Sequence, residues 1–131
     1  MRLTASIVIW LVAAFYFYGA AVHVFNILSL SGFDWRSAPT KWQVLDVVYL
    51  ILDALVVVGL VLSWKLGFIA FYVAAITQII LYTLLRNWII DVPAEFAVSE
   101  EQRGYLTGLV IFHGVTIVLI SLALWIRARA S

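Results

Sequence analysis

The sequence lacks cysteine and has few charged residues. Its 131 residues include no Cys, and only 11% are Asp, Glu, Lys or Arg. The absence of cysteine excludes disulfides, thiolate catalysis, iron–sulfur clusters and cysteine-based zinc sites, and it leaves the redox compartment open. The formal net charge of +1 provides no basic field for nucleic acid.

The chain is instead rich in apolar residues. Hydrophobic residues make up 66% of it and aromatic residues 15%. Soluble domains average roughly 45–50% apolar and about 25% charged residues. This composition indicates an integral membrane protein in contact with the lipid bilayer.

The apolar residues cluster in four segments, at residues 5–30, 42–64, 67–90 and 105–126. Each segment reaches the roughly 20 residues that span a hydrocarbon core of about 30 Å. The first exceeds the roughly 7–15 apolar residues of a signal peptide, so we expect it to be retained. We therefore predict an all-α polytopic membrane protein, with residues 1–131 forming a single antiparallel four-transmembrane-helix bundle.

Local patterns at the helix boundaries support this division. Thr40 with Gln43, and Ser99 with Gln102, have the spacing of a capping box at the start of the second and fourth helices. Only residues 64–67 separate the second and third segments, which predicts an antiparallel hairpin. Residues 93–98 are expected to form a short interfacial helix or an ordered loop.

The distribution of charge favours one orientation. One side of the predicted bundle has basic residues without acids: Arg2, Lys65, Arg127 and Arg129. The other side has the same number of basic residues together with acids: Arg36, Lys41, Arg86, Arg103, Asp34, Asp91, Glu95, Glu100 and Glu101. Free basic residues in short loops and tails favour the cytoplasm. We predict a bacterial-type inner membrane with both termini cytoplasmic.

Two aspartates, Asp46 and Asp53, lie inside the second apolar segment. A carboxylate within the bilayer costs about 2.5–3.5 kcal/mol on insertion scales, so an acid there is a functional-site hypothesis by default. Asp46 also has a structural interpretation, because an acid near a helix N-terminus is stabilised by the helix dipole. Asp53 likewise has a structural interpretation, as a protonated carboxyl group hydrogen-bonded to Gln78 or to a tyrosine.

Helical spacing places the polar residues of each segment on one stripe. The four stripes are Tyr16, Gly19, His23 and Asn26; Asp46, Tyr49 and Asp53; Gln78, Tyr82 and Arg86; and His113 and Thr116. Polar residues in membrane bundles face the interior or a water-filled cavity. We therefore expect a polar cup that opens outward, with ligand- or ion-binding residues Asp53, Asp46, His23, His113, Gln78, Tyr82, Arg86 and Asn26.

Several of these residues also have ordinary structural interpretations. Arg86 can snorkel to the interface or pair with Asp46 or Asp91. Gln78 and Asn26 can be interhelical hydrogen-bonding groups. A single histidine in a membrane bundle is usually a hydrogen-bonded core residue, whereas two at similar depth suggest a shared site.

Three functional classes remain open. In the first, the cup binds or relays a small ligand, an ion or a proton. In the second, the protein is an electron-transfer subunit linked to quinone or to a b-type haem, with His23 and His113 as axial ligands. In the third, it is a structural accessory subunit. A homo-oligomer or a membrane-protein partner is expected, whereas enzymatic activity stays open because no catalytic motif is evident.

Two segments resemble a known family. They are DALVVVGLVLSWKLG at residues 53–67 and FYGAAVH at residues 17–23. Their acidic residue, leucine–glycine run and basic turn are similar to those of DoxX-like small four-helix membrane proteins, although His23 stands where a basic residue is more usual. The resemblance covers about half of the chain. It implies a four-helix bundle and an accessory role linked to redox enzymes.

Overall fold

The computed structural model describes residues 2–130, which form helices and no β-strand. The helices are α1 (Arg2–Ile27), α2 (Thr40–Val61), α3 (Lys65–Thr83), α4 (Arg86–Ile90) and α5 (Glu100–Ala130). Two 3-10 turns, Trp35–Ser37 and Ala94–Phe96, lie in the loops. All helices except α4 are long and apolar enough to cross a membrane. The predicted fold class, an all-α polytopic bundle, is confirmed.

The four long helices are arranged as a ring. α1 packs against α2 and α5, and α3 packs against the same two helices on the opposite side. Successive long helices are antiparallel, so Arg2, Ala130 and the α2–α3 turn lie together at one end, called here the termini end. The loops at residues 28–39 and 84–99 lie at the other end, called the loop end.

Helices α1 and α2 both end three residues earlier than predicted, at Ile27 and Val61. Shortly after each end a serine adopts the left-handed conformation, with φ of 60° at Ser29 and 55° at Ser63. In both cases the next amide bonds the carbonyl five residues back, with N···O distances of 2.8 Å. This is the usual C-terminal closure of a helix, but glycine commonly occupies the left-handed position. Serine and leucine are not typical helix-ending residues, so the sequence did not predict these two helix ends.

The third predicted helix is interrupted, so the prediction of one helix over residues 67–90 is wrong. α3 ends at Thr83 and α4 begins at Arg86. The Thr83 hydroxyl donates to the Ile79 carbonyl at 2.6 Å, and the Arg86 Nε donates to the Tyr82 carbonyl at 2.8 Å. Side chains that bind the carbonyls of the preceding turn compete with the helical amides and bend the helix.

One of the two predicted capping boxes is present. Ahead of α5, the Ser99 amide donates to Gln102 Oε1 at 2.8 Å, and the Gln102 amide donates to Ser99 Oγ at 3.2 Å. The predicted cap at Thr40 is wrong, because Thr40 is already the first residue of α2 and Pro39 is the N-cap residue. The Gln43 side chain instead donates to two carbonyls of the turn Trp35–Ser37. Helix α5 starts before the predicted residue 105 and continues beyond residue 126.

The half of the bundle nearest the termini has a dry apolar core. Its largest fully buried side chains are Ile9, Val12, Val56, Leu60, Phe71 and Ile120. They come from all four long helices and form one cluster with the surrounding alanines. The bundle is therefore closed at this end.

Two glycines bring α2 and α3 into direct backbone contact beside this core. A Cβ atom added to Gly59 would lie 2.1 Å from the Gly67 Cα, and one added to Gly67 would lie 2.2 Å from the Gly59 Cα. Real Cβ atoms do not approach backbone that closely, so neither position accepts a side chain without separating the helices. Small residues that allow such close approach are typical of membrane helix interfaces.

We predict that Gly59→Ala and Gly67→Ala each destabilise the protein by about 3 kcal/mol, the upper part of the usual range for overpacking. The measurement is unfolding in mixed detergent and sodium dodecyl sulfate micelles. Gly114→Ala is the matched control, because a Cβ there meets nothing within 4 Å. Equal stability of all three variants would show that the α2–α3 contact is not tight.

Candidate functional site

The loop half of the bundle contains a cavity of about 500 Å³, called here the loop-end cavity. It lies between the four long helices and reaches the segments of both loops. The polar residues lining it are Tyr16, Tyr18, His23, Asn26, Asp46, Tyr49, Asp53, Gln78, Tyr82, Gln102, Tyr105 and His113. Volumes of roughly 300–1,000 Å³ are typical of small-molecule sites.

The Asp46 carboxylate is held by three donors. Its Oδ1 accepts hydrogen bonds from His23 Nδ1 at 2.8 Å and from Asn26 Nδ2 at 3.0 Å. Its Oδ2 accepts one from Trp35 Nε1 at 3.0 Å. Both oxygens are thus bonded to donors, which is the pattern of an ionised carboxylate. The carboxylate joins α2 to α1 and to the turn that follows α1.

The His23 imidazole lies between the two aspartates. Because a carboxylate can only accept, His23 Nδ1 carries a proton and donates it to Asp46. The other ring nitrogen, Nε2, lies 3.7 Å from Asp53 Oδ2, within ion-pair range but beyond hydrogen-bonding distance. The ring also stacks on Tyr49, with 6.2 Å between centroids. The bond to Asp46 and the stack on Tyr49 therefore fix the orientation of the ring.

Among the described residues, Asp53 has the buried side-chain oxygen that lacks a hydrogen-bond partner. It is only 3% exposed, and its Oδ1 has no hydrogen-bond partner. Its Oδ2 lies against α1 at Gly19, where an added Cβ would be 2.9 Å away. Glycine at position 19 therefore allows the carboxylate to lie against the α1 backbone. A buried acceptor without a partner costs about 1–3 kcal/mol.

His113 belongs to a second, separate pair that also lines the cavity. Its Nδ1 lies 3.1 Å from the Tyr16 hydroxyl, and the two rings pack edge to face. Thr116 lies one turn further along α5, and its hydroxyl donates to the His113 carbonyl at 2.8 Å. The two histidines therefore have different partners: carboxylates for His23 and a phenol for His113.

The structure brings seven of the eight predicted site residues to one cavity. They are Asp53, Asp46, His23, His113, Gln78, Tyr82 and Asn26. Their role in binding stays a prediction. Arg86 does not line the cavity, because the break after Thr83 carries it away from the face of Gln78 and Tyr82. Its Nη2 donates to the Thr107 hydroxyl at 2.9 Å rather than to Asp46 or Asp91.

Sequence reasoning missed the part that Trp35 plays in the site. Its spacing and flanks are those of an interfacial tryptophan, and the sequence contains no signal that its indole would bind Asp46. Phe33 and Trp42 were also not predicted; they line the cavity near the loops and pack edge to face with Phe96. These contacts depend on how the loops fold back, which helical periodicity does not describe.

The geometry does not fit the predicted haem clamp. An axial histidine needs a free ring nitrogen facing the iron. In His23, Nδ1 donates to Asp46 and Nε2 faces Asp53 at 3.7 Å. Within residues 2–130, moreover, no group of three His, Cys, Asp or Glu side chains is placed to hold a metal ion. The site is therefore better described by its hydrogen-bonding groups than by metal ligation.

Comparison with family models, curated proteins and solved structures finds no match to this chain. The resemblance to DoxX-like proteins therefore stays a prediction, and function has to be argued from the site.

We predict that Asp46→Ala destabilises the protein by about 3 kcal/mol, because three donors lose a charged acceptor. Asp91→Ala is the control: Asp91 is exposed, and its bond to Lys41 uses the backbone carbonyl, which alanine retains. The measurement is thermal unfolding in detergent followed by near-ultraviolet circular dichroism, which reports tryptophan packing. Matching unfolding curves for the two variants would contradict a structural role of the Asp46 network.

Proposed function

We propose that the protein binds a small molecule inside the membrane, in the loop-end cavity, with the polar end of the molecule at Asp53. The observation that carries the proposal is an unpartnered carboxylate oxygen, on a residue only 3% exposed, beside a cavity of about 500 Å³. Buried polar groups are almost always bonded, and exceptions often mark functional sites. A ligand donor group would supply the missing partner.

The composition of the cavity wall supports a ligand with an apolar body. Apart from the polar groups around His23 and Asp53, aromatic and aliphatic side chains line the cavity: Phe15, Val22, Phe33, Trp42, Leu45, Ile89, Ile90, Val98, Leu106, Leu109 and Phe112. Small-molecule sites typically combine such walls with a few placed polar groups. The proposed ligand is therefore amphipathic, with its polar end at the carboxylate.

The apolar core favours binding over passage through the protein. Fully buried Ile9, Leu60, Phe71 and Ile120 occupy the termini half, with no polar group among them. An ion or proton pathway needs polar side chains or water along its length. The series of charged groups from Asp46 through His23 to Asp53 ends at this apolar core. The proposal is therefore a binding site with access from one end.

The orientation follows from the sequence and is part of the proposal. Unaccompanied basic residues at the termini end favour the cytoplasm, which places the loop-end cavity on the outer side of a bacterial-type inner membrane. An accessory role, as a homo-oligomer or beside another membrane protein, fits helices joined by short loops. The DoxX-like resemblance points to the same role.

We predict that Leu109→Trp blocks binding, because Leu109 lines the cavity and the larger side chain fills it. The probes are phenethylamine, phenethyl alcohol and hydrocinnamate, which have a phenyl body and end in a cation, a hydroxyl and an anion. Calorimetry on protein in nanodiscs, with empty nanodiscs subtracted, should show saturable binding of at least one probe to the wild type. Leu109→Trp should abolish it.

Ile111→Trp is the matched control for this experiment. Ile111 lies on the same helix but is 63% exposed on the outer face of the bundle. We expect this variant to bind as the wild type does. Binding of no probe, or equal loss in both variants, would contradict the proposed function.

A further inference from the structure

We infer that the ligand is an organic cation, an ammonium group with at least one N–H on a lipophilic body. This inference rests on the proposed function and adds the charge of the ligand to it. It is carried by three observations: the net charge of the polar cluster, the absence of basic side chains from the cavity wall, and the unpartnered carboxylate of Asp53.

The cluster of His23, Asp46 and Asp53 is negatively charged as a unit. Asp46 is an ionised carboxylate with three donors, and His23 Nδ1 carries the proton that bonds it. One further proton can lie on His23 Nε2 or on Asp53, whose Oδ2 is 3.7 Å away. On His23 it leaves two negative charges against one positive, on Asp53 it leaves one negative charge alone, and without it the cluster has two negative charges. The cluster therefore has a net negative charge in each of these three states.

Nothing else in the cavity wall neutralises this charge. Among the described residues that line it, none is Lys or Arg. Of the basic residues close in sequence to lining positions, Arg103 is exposed, and Lys41 and Arg86 are held elsewhere. Lys41 donates to the carbonyls of Trp88 and Asp91, and Arg86 donates to Tyr82 and Thr107. His113 is bonded to the Tyr16 phenol rather than to a carboxylate, an environment suited to a neutral imidazole.

The position of Asp53 favours a donor on the ligand. One carboxylate oxygen lies against Gly19 and faces His23, and the other has no partner. Rotation about the last side-chain bond is soft for aspartate, so either oxygen can turn toward a ligand. An ammonium N–H would complete the carboxylate with a charge-assisted bond, which is about twice as strong as a neutral one.

Aromatic rings line the same cavity and suit a cation. Tyr49, Tyr82 and Phe112 line the cavity together with Asp53. The faces of aromatic rings attract cations, most strongly where water is excluded. The same rings provide apolar surface for the body of the ligand.

Other charges fit the cavity less well. An anion would meet the negative cluster without a basic residue to bind it. A metal ion requires several protein ligands, and the described residues contain no group of three His, Cys, Asp or Glu suitably placed. A neutral alcohol can bond Asp53, but it would leave the net charge uncompensated in an apolar site.

The test compares the three phenyl probes on the wild-type protein in nanodiscs. We expect phenethylamine to bind at least about tenfold more tightly than phenethyl alcohol, and hydrocinnamate not to bind. Equal or tighter binding of the alcohol or of the anion would overturn the inference while leaving the proposed function intact. Failure of all three probes would overturn both.

Asp53→Asn separates the contribution of the carboxylate from that of the cavity. Asparagine has the same shape without the charge, so phenethylamine should lose about tenfold or more in affinity, while phenethyl alcohol should change by less than about threefold. Asp91→Asn, at an exposed acid, should leave both affinities unchanged. An amine affinity that is the same in wild type and Asp53→Asn would overturn the assignment. Should Asp53→Asn not fold, the comparison of probes on the wild type decides the inference alone.

Discussion

The hydrogen bonds to Asp46 are the interaction on which the loop half of the molecule depends. This carboxylate accepts from His23 and Asn26 on α1 and from Trp35 in the following turn, so it joins two helices and a loop at one point. It also determines the chemistry beside it. Because Asp46 binds the Nδ1 proton of His23, the other ring nitrogen is directed at Asp53. The bond between Asp46 and His23 thus determines how the His23 ring faces Asp53.

The two ends of the bundle have complementary physical roles. At the termini end, apolar side chains fill the interior and Gly59 contacts Gly67 directly, which provides rigid packing. At the loop end, polar groups and a cavity replace that packing, and Asp53 has an unsatisfied oxygen. Unsatisfied buried groups are destabilising and persist where surrounding structure holds them. The apolar packing at the termini end thus offsets the unfavourable free energy of the unsatisfied group at the loop end.

Much of the architecture was predictable from the sequence because hydrophobic length and helical periodicity are strong signals. They gave four long apolar helices and the polar faces of Tyr16, His23, Asp46, Asp53 and Gln78, which meet in one cavity. They did not give the helix ends, because serine adopts the conformation usually taken by glycine.

The remaining errors have a related origin. The break after Thr83 was not predictable from apolar periodicity, and the Thr83 and Arg86 side chains bind backbone carbonyls beside it. Arg86 was assigned to the site only because the helix was assumed to continue. Trp35 was missed because its contact with Asp46 depends on the path of a loop. Each of these features involves specific hydrogen bonds rather than burial, which is the quantity that hydrophobic patterns report.

The aromatic residues between α1 and α5 have a double environment. Phe15, Tyr18 and Tyr105 line the cavity, yet more than half of each residue is exposed, at 54%, 65% and 58%. Along the interface between α1 and α5, a single layer of side chains therefore separates the loop-end cavity from the lipid. Replacing any one of these residues with a smaller one alters both its contact with lipid and the shape of the loop-end cavity. A mutational scan at these positions therefore reports the sum of the two effects.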